Sequence, residues 1–257
     1  MGPSTVQTGS QHHIPQAPGG PSSRRGDAMT IGGGSGEEFV VRKLIDVMRL
    51  RDPALAGHAQ RTAEIATTLG AELGCTMETL DRLYTAAQLH DLGKLGISEA
   101  ILWKPTNLSR SEWREVRSHP EDGHRLVVDA VHREVASAVL YHHERMDGHG
   151  YPFGIDGHTL PLVVRIVQVA DAFDAMTSDR PYQPALPTAV AVGEIERCAG
   201  SQFDPDVAAA LTRIFHERDR LRPAPLPETD ADEVDQAADP FEDLIAPTVV
   251  RFREPPA

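Results

Sequence analysis

The chain has 257 residues and a formal net charge of −13, from 38 acidic against 25 basic side chains. That balance, with no basic stripe, excludes a nucleic-acid polymer as main partner, though not a small phosphate ligand whose charge is met locally by metal ions. Two cysteines, Cys75 and Cys198, give neither a disulfide framework nor a thiolate metal site, and no 18-residue apolar run calls for a membrane or export, so the expected location is cytoplasmic.

Residues 1–35 hold eight Gly and four Pro and almost nothing large and apolar, a composition that cannot offset the entropy of folding and reads as a disordered segment. From there to residue 220 the pattern is helical. Phe39, Val40, Leu44, Ile45 and Met48 recur at helical spacing and predict a first helix that stops before Pro53. A second runs from 54 to about 73, with Ala63, Ile65, Ala66 and Leu69 on one side and Gly74 closing it. Thr76 is the expected cap of a third over Met77–Leu89. Ser109, followed three residues later by Glu112, is a capping-box pattern and opens a short fourth helix. Pro120 lets a new turn begin near 121 and run to about 128, and 131–141 is helical again. A loop rich in Gly and charge, 144–161, leads into 162–176, apolar enough to be buried on most sides. Helices over 186–198 and 205–215 complete the domain. No alternating strand of convincing length appears, so the expected fold is an all-α bundle over 36–220. Residues 221–257 are acidic and Pro-rich and read as a second disordered tail; from 222 onward they carry seven Pro and nine acidic residues against three Arg.

The chemistry gathers at helix ends. His90 and Asp91 close the third helix in Leu89-His90-Asp91-Leu92-Gly93-Lys94-Leu95-Gly96. Neighbours on a helix point about 100° apart, so these two could grip one ion only at a helix end, which Gly93 is expected to supply. His58 lies on the second helix with Arg61 three residues on, His119 stands at a junction before Pro120, and His142 and His143 follow a helix directly. A lone imidazole in such a place is usually a satisfied core residue. Asp171 is different, because a carboxylate amid Ile166, Val167, Val169, Ala170 and Phe173 must be paired or metal-bound. Five His and two Asp without a thiolate suit hard or borderline divalent ions. They exceed one tetrahedral site and suit two ions sharing a bridging carboxylate, a centre used mostly in hydrolysis of phosphate esters.

In these motifs the chain resembles the HD-GYP domain, a bacterial branch of the HD phosphohydrolase superfamily. The resemblance rests on Gly57-His58-Ala59-Gln60-Arg61, on the stretch from Leu89 to Gly96 quoted above, on Ile101-Leu102-Trp103-Lys104-Pro105, on Glu112-Trp113 and on Arg117-Ser118-His119-Pro120. It continues through His142-His143-Glu144-Arg145-Met146-Asp147-Gly148-His149-Gly150-Tyr151-Pro152, then Ala170-Asp171-Ala172-Phe173-Asp174-Ala175-Met176-Thr177-Ser178-Asp179-Arg180-Pro181-Tyr182 and Phe203-Asp204-Pro205, and so spans about 50–215.

What the resemblance implies is an HD-domain helical bundle with an HD-GYP extension, and metal-dependent hydrolysis of cyclic di-GMP. The implied ligands are His58, His90, Asp91, His119, His142, His143 and Asp171, with Asp91 bridging two divalent ions, Fe or Mn. Lys94 would stand beside the centre, holding a phosphate oxygen or the attacking water, and Arg180 would reach the second phosphate with its fork of donors. The loop carrying Gly148, Gly150, Tyr151 and Pro152 would shape the substrate pocket or a partner surface, against the competing reading of a purely structural turn. Two departures stand out. Some relatives have a carboxylate four residues before the first ligand, where this chain has Ala54, and an often basic position is here Gln183. The missing carboxylate points to a two-ion centre that releases linear pGpG. Another HD phosphohydrolase specificity, and a non-catalytic metal-bound interaction module, are the alternatives. The family also allows contact with diguanylate cyclase domains and a homodimer.

Overall fold

A computed structural model describes residues 33–104, 106–179 and 184–220. Local signals set most helix starts. Asp52 caps the second helix by accepting the Leu55 N–H at 2.9 Å, with Pro53 in the first turn where its missing N–H costs nothing. Thr76 caps the third through the Thr79 N–H at 3.3 Å, and Ser109 and Glu112 close a reciprocal capping box. The helices are α1 (Gly33–Arg51), α2 (Pro53–Glu72), α3 (Met77–Leu89), α4 (Glu99–Leu102), α5 (Arg110–Arg117), α6 (His119–Val127), α7 (Arg133–Tyr141), α8 (Leu162–Thr177), α9 (Thr188–Arg197) and α10 (Pro205–Arg220). Two 3₁₀ turns, Leu92–Gly96 and Gly157–Thr159, complete the order, and the described residues contain isolated bridges but no strand. The fold is an all-α bundle, as expected.

The sequence reading missed α4 and the turn over Leu92–Gly96, both too short to show a helical period, and started α1 six residues late. The two tails assigned from composition lie outside the described residues, apart from 33–35, which open α1. Arg180 and Gln183 also lie outside them.

Helix α2 packs against both α3 and α8, and α7 closes against α3, α6 and α8. Small residues on the facing sides, Ala63 and Ala66 on α2, Ala86 and Ala87 on α3 and Ala170 on α8, are fully buried and let the helices approach closely. Larger side chains fill the remaining space: Leu69, Leu83, Leu89 and Ile166 are fully buried, each contributing about 1.5–3 kcal/mol by leaving water. A smaller cluster of Ile97, Leu108, Trp113 and Val116 seats α5 beside this core. No helix among the described residues is long and apolar enough to cross a membrane. The middle of α2 and α8, the ends of α3 and α7 and the α5–α6 junction therefore meet at one place.

Candidate metal centre

Three of the histidines predicted from sequence are placed in the same way. His90, His119 and His142 each follow a helix, where the last carbonyls have no helical partner. Their Nδ1 atoms lie 2.7, 2.7 and 3.0 Å from the carbonyls of Ala87, Val116 and Val139, each three residues back. A carbonyl only accepts, so each Nδ1 carries a proton and each Nε2 is the nitrogen that offers a lone pair when the ring is neutral. His58 lies in the middle of α2, where carbonyls are already used. Its Nδ1 turns instead to Asp174 Oδ2 at 2.7 Å. Asp174, one turn beyond Asp171 on α8, is in turn held by Arg61, with Nε at 2.7 Å and Nη2 at 2.9 Å, and by the Ser178 hydroxyl at 3.1 Å. Four histidines are thus oriented with Nε2 toward a common space, the arrangement in which second partners fix imidazole ligands.

Asp91 sits between two groups in that space. Its Oδ2 lies 3.4 Å from His90 Nε2 and 3.8 Å from His58 Nε2, while its Oδ1 lies 3.2 Å from His119 Nε2 and 3.6 Å from His142 Nε2. Asp171 Oδ1 joins the first group, 3.0 Å from His58 Nε2 and 3.7 Å from His90 Nε2. His143 joins the second, with its ring centroid 4.0 Å from that of His142 and 5.0 Å from that of His119. Two sets able to hold an ion result, His58 with His90 and Asp91, and Asp91 with His119, His142 and His143.

The donor set fits cations and little else. The Nε2 atoms of His119 and His142 are 3.1 Å apart, and both Nδ1 protons are committed to carbonyls, so two lone pairs face each other. Burial, the largest influence on both, pushes their pKa values down, His142 to about 4 with His90 and His119 adding to the effect, so neither supplies a proton to bridge them. Buried atoms without a hydrogen-bond partner converge here too: Nε2 of His58, His90 and His143, and Oδ1 of Asp91 and Asp171. Such groups are costly unless charge meets charge. Burial also works against the charged forms of His58 and His90, yet their carboxylate neighbours win and raise both, His90 to about 10. Asp91 and Asp171 are held well below the usual carboxylate range despite burial, Asp91 chiefly by Lys94 and His90, and Asp171 chiefly by His58 and His90. The space demands positive charge.

Other predicted residues surround it. Lys94 is 2% exposed and its Nζ lies 2.6 Å from Asp91 Oδ2. Lys94 therefore stands beside the centre, where the resemblance places it, and among the described residues its partner is the shared carboxylate one turn before it. Gly93 is needed for a reason other than the expected helix stop: a Cβ there would run into the His119 carbonyl and the Gly123 amide. Gly93 therefore lets the Leu92–Gly96 turn lie directly on α6, bringing Asp91 to His119. Tyr151 stacks on His143 with centroids 4.6 Å apart and planes at 21°. A Cβ at Gly150 would collide with the Glu144 backbone, and the Tyr151–Pro152 peptide is cis. The loop is organised by Glu144, which accepts the amides of Phe153, Gly154 and Ile155 at 2.8, 3.2 and 3.1 Å. The sequence reading gave no role to Glu144 or Asp174. The available signal for Asp174 was its position three residues after Asp171 on a buried apolar helix.

Residues 42–207 match the model of the HD domain family. The 3′3′-cGAMP-specific phosphodiesterase 3 of Vibrio cholerae is 35% identical over 180 residues, covering 70% of this chain and 39% of that protein. The cyclic di-GMP phosphodiesterase response regulator RpfG of Xanthomonas campestris is 36% identical over 180 residues, covering 69% and 48%. The chain thus spans 39% to 48% of the length of these curated relatives. Among solved structures, Bd1817, a HDG"Y"P protein from Bdellovibrio bacteriovorus, has a TM-score of 0.53 at 19% identity, covering 72% of this chain and 62% of that one, a likeness of fold. With the family model covering the helices that carry all seven clustered side chains, the chain belongs to the HD domain family.

Proposed function

We propose that the chain hydrolyses a phosphodiester of a cyclic dinucleotide at a centre of two divalent ions, with cyclic di-GMP as substrate and linear pGpG as main product. The observation that carries this reading is the pair of facing lone pairs on His119 and His142, beside a carboxylate whose two oxygens serve opposite groups. His58, His90, Asp91 and Asp171 would hold one ion, and Asp91, His119, His142 and His143 the other. Fe or Mn suits such a mixed nitrogen and oxygen set. Divalent ions so held lower the pKa of water and stabilise charge developing on a phosphate.

The protein's own part is positional. Lys94 keeps Asp91 ionised and fixed, and Asp174 with Arg61 holds His58 in the tautomer that leaves Nε2 free. Tyr151 walls one face of His143. Water adds to one phosphorus, the P–O3′ bond breaks, and the 3′ oxygen leaves as a hydroxyl, giving a linear dinucleotide with a 5′ phosphate. Ala54, one turn before His58, is exposed and offers only a methyl group, while Asp52 is occupied as the cap of α2. Neither supports a third ion, so the second cleavage to GMP is slow. On this reading the chain works in the cytoplasm, where contact with a diguanylate cyclase domain or a second copy would couple synthesis to breakdown.

The relatives are named for two different substrates, so the test uses both. Chain purified without oxygen is assayed on cyclic di-GMP and 3′3′-cGAMP, with products separated by ion exchange and metals counted by mass spectrometry. Two ions per chain and accumulation of pGpG before GMP are expected. A chain loaded with two ions that cuts neither nucleotide would overturn the reading. Faster cutting of 3′3′-cGAMP would move the substrate, and direct conversion to GMP with three ions would remove the product assignment.

A further inference from the structure

Among the described residues, most cations around the centre are spoken for. Lys94 is on Asp91, Arg61 forks onto Asp174, and Arg145 pairs with Asp147 and Gln202. Arg117 is not. The last residue of α5 and two before His119, it is exposed and makes no ion pair or hydrogen bond to a described residue. Its guanidinium instead lies against two aromatic rings, 5.6 Å from the Trp113 centroid and 5.0 Å from that of Tyr151. Tyr151 stacks on His143, which alone of the seven clustered side chains is not in the fully buried class. A line of ring contacts therefore runs from an exposed guanidinium to the more open edge of the centre.

Stacking holds a guanidinium plane while leaving its in-plane N–H donors for another partner, and that fork matches the oxygens of a phosphate. A cyclic dinucleotide carries two phosphodiesters, and only one reacts at a time. With the first at the imidazoles, the second must be met by a group just outside the cluster, and Arg117 lies 5.0 Å from the Tyr151 ring centroid, which itself stands 4.6 Å from that of His143. In a chain of net charge −13, that second anion needs a local cation. Resting on the substrate class proposed above, we propose that Arg117, in addition to the Arg180 that the resemblance implies, binds the non-reacting phosphodiester of the cyclic dinucleotide, prepositioned for it by Trp113 and Tyr151.

The test compares Arg117→Ala and Arg117→Lys with wild type on cyclic di-GMP and on bis(p-nitrophenyl) phosphate, which has a single phosphate. Loss of a binding contact shared by ground and transition states raises KM and spares kcat. For Arg117→Ala, KM on cyclic di-GMP should rise roughly 10- to 100-fold, the loss expected for a charge-assisted contact, while kcat/KM on the single-phosphate diester falls at most about 3-fold. Arg117→Lys, with charge but no fork, should fall between. Metal content and Tm should match wild type. A wild-type KM for cyclic di-GMP in Arg117→Ala overturns the proposal, as do equal losses on both substrates or lost metal, either of which would make Arg117 a support for His119 and Tyr151. If fully loaded wild type cuts bis(p-nitrophenyl) phosphate but no cyclic dinucleotide, the substrate class fails, and this assignment with it.

Discussion

On one side of Asp91, His58 and His90 face a second carboxylate, Asp171; on the other, His119, His142 and His143 have no further carboxylate and crowd one another. Burial is nearly equal on the two sides and pushes every imidazole toward its neutral form. The outcome is opposite: His58 and His90 are raised, while His119, His142 and His143 are lowered. What decides the sign is the number of carboxylates within reach, the usual contest between desolvation and neighbouring charge. One ligand differs in anchoring too. His90, His119 and His142 are oriented by main-chain carbonyls, which no substitution removes, whereas His58 depends on the side chain of Asp174.

The largest effect should come from removing what the halves share. Asp91→Ala should lose both ions and lower turnover by on the order of a thousandfold or more, because charge stabilisation at both ions goes at once. Metal counting alongside an activity assay checks this, and a variant that keeps both ions would show the halves to be independent.

A smaller effect should separate them. Asp174→Asn weakens the partner of His58 without touching the half that holds His119, His142 and His143, so one of two ions should bind roughly 10- to 100-fold more weakly, the cost of losing an outer partner. Titration against a metal buffer, read as ions per chain, should show one weakened step and one unchanged. Two equally weakened steps would mean that the halves load as a unit.

The smallest effect is in the metal-stripped protein. His90, raised from 6.5 to about 10, contributes stability that is complete below pH 6.5 and lost as the pH climbs toward 10. His142, lowered from 6.5 to about 4, contributes stability that is complete above pH 6.5 and lost as the pH falls toward 4. The Tm after chelation should therefore peak near pH 6.5 and decline by a few degrees on each side. Decline on one side only would show that one half relaxes when empty.

Helix limits were legible where a cap or a period lies within a turn or two of chain, as at Thr76, at Ser109 with Glu112, and along 162–176. The short turn over Leu92–Gly96 has neither, and Gly93 looked like a helix stop because a sequence cannot reveal that its α-hydrogen faces the His119 carbonyl. The family and the set of histidines and aspartates were also legible, since they stand in contiguous motifs at helix ends or within apolar helices.

Sequence alone determined that this chain is an all-α member of its family, with five imidazoles and two carboxylates in places where apolar helices end or are interrupted. Only the tertiary structure decided their partners. His58 and Asp174 are separated by 116 positions, and only the packing of α2 on α8 makes them a hydrogen-bonded pair. Lys94 meets Asp91, rather than open solvent, because α6 lies against the turn that carries both. Arg117 reaches Tyr151 because a loop 34 positions further on folds back over the end of α5. Caps and periods act through bonds a few residues long, whereas the charge on a buried side chain depends on every group within a few ångströms, whichever part of the chain it comes from.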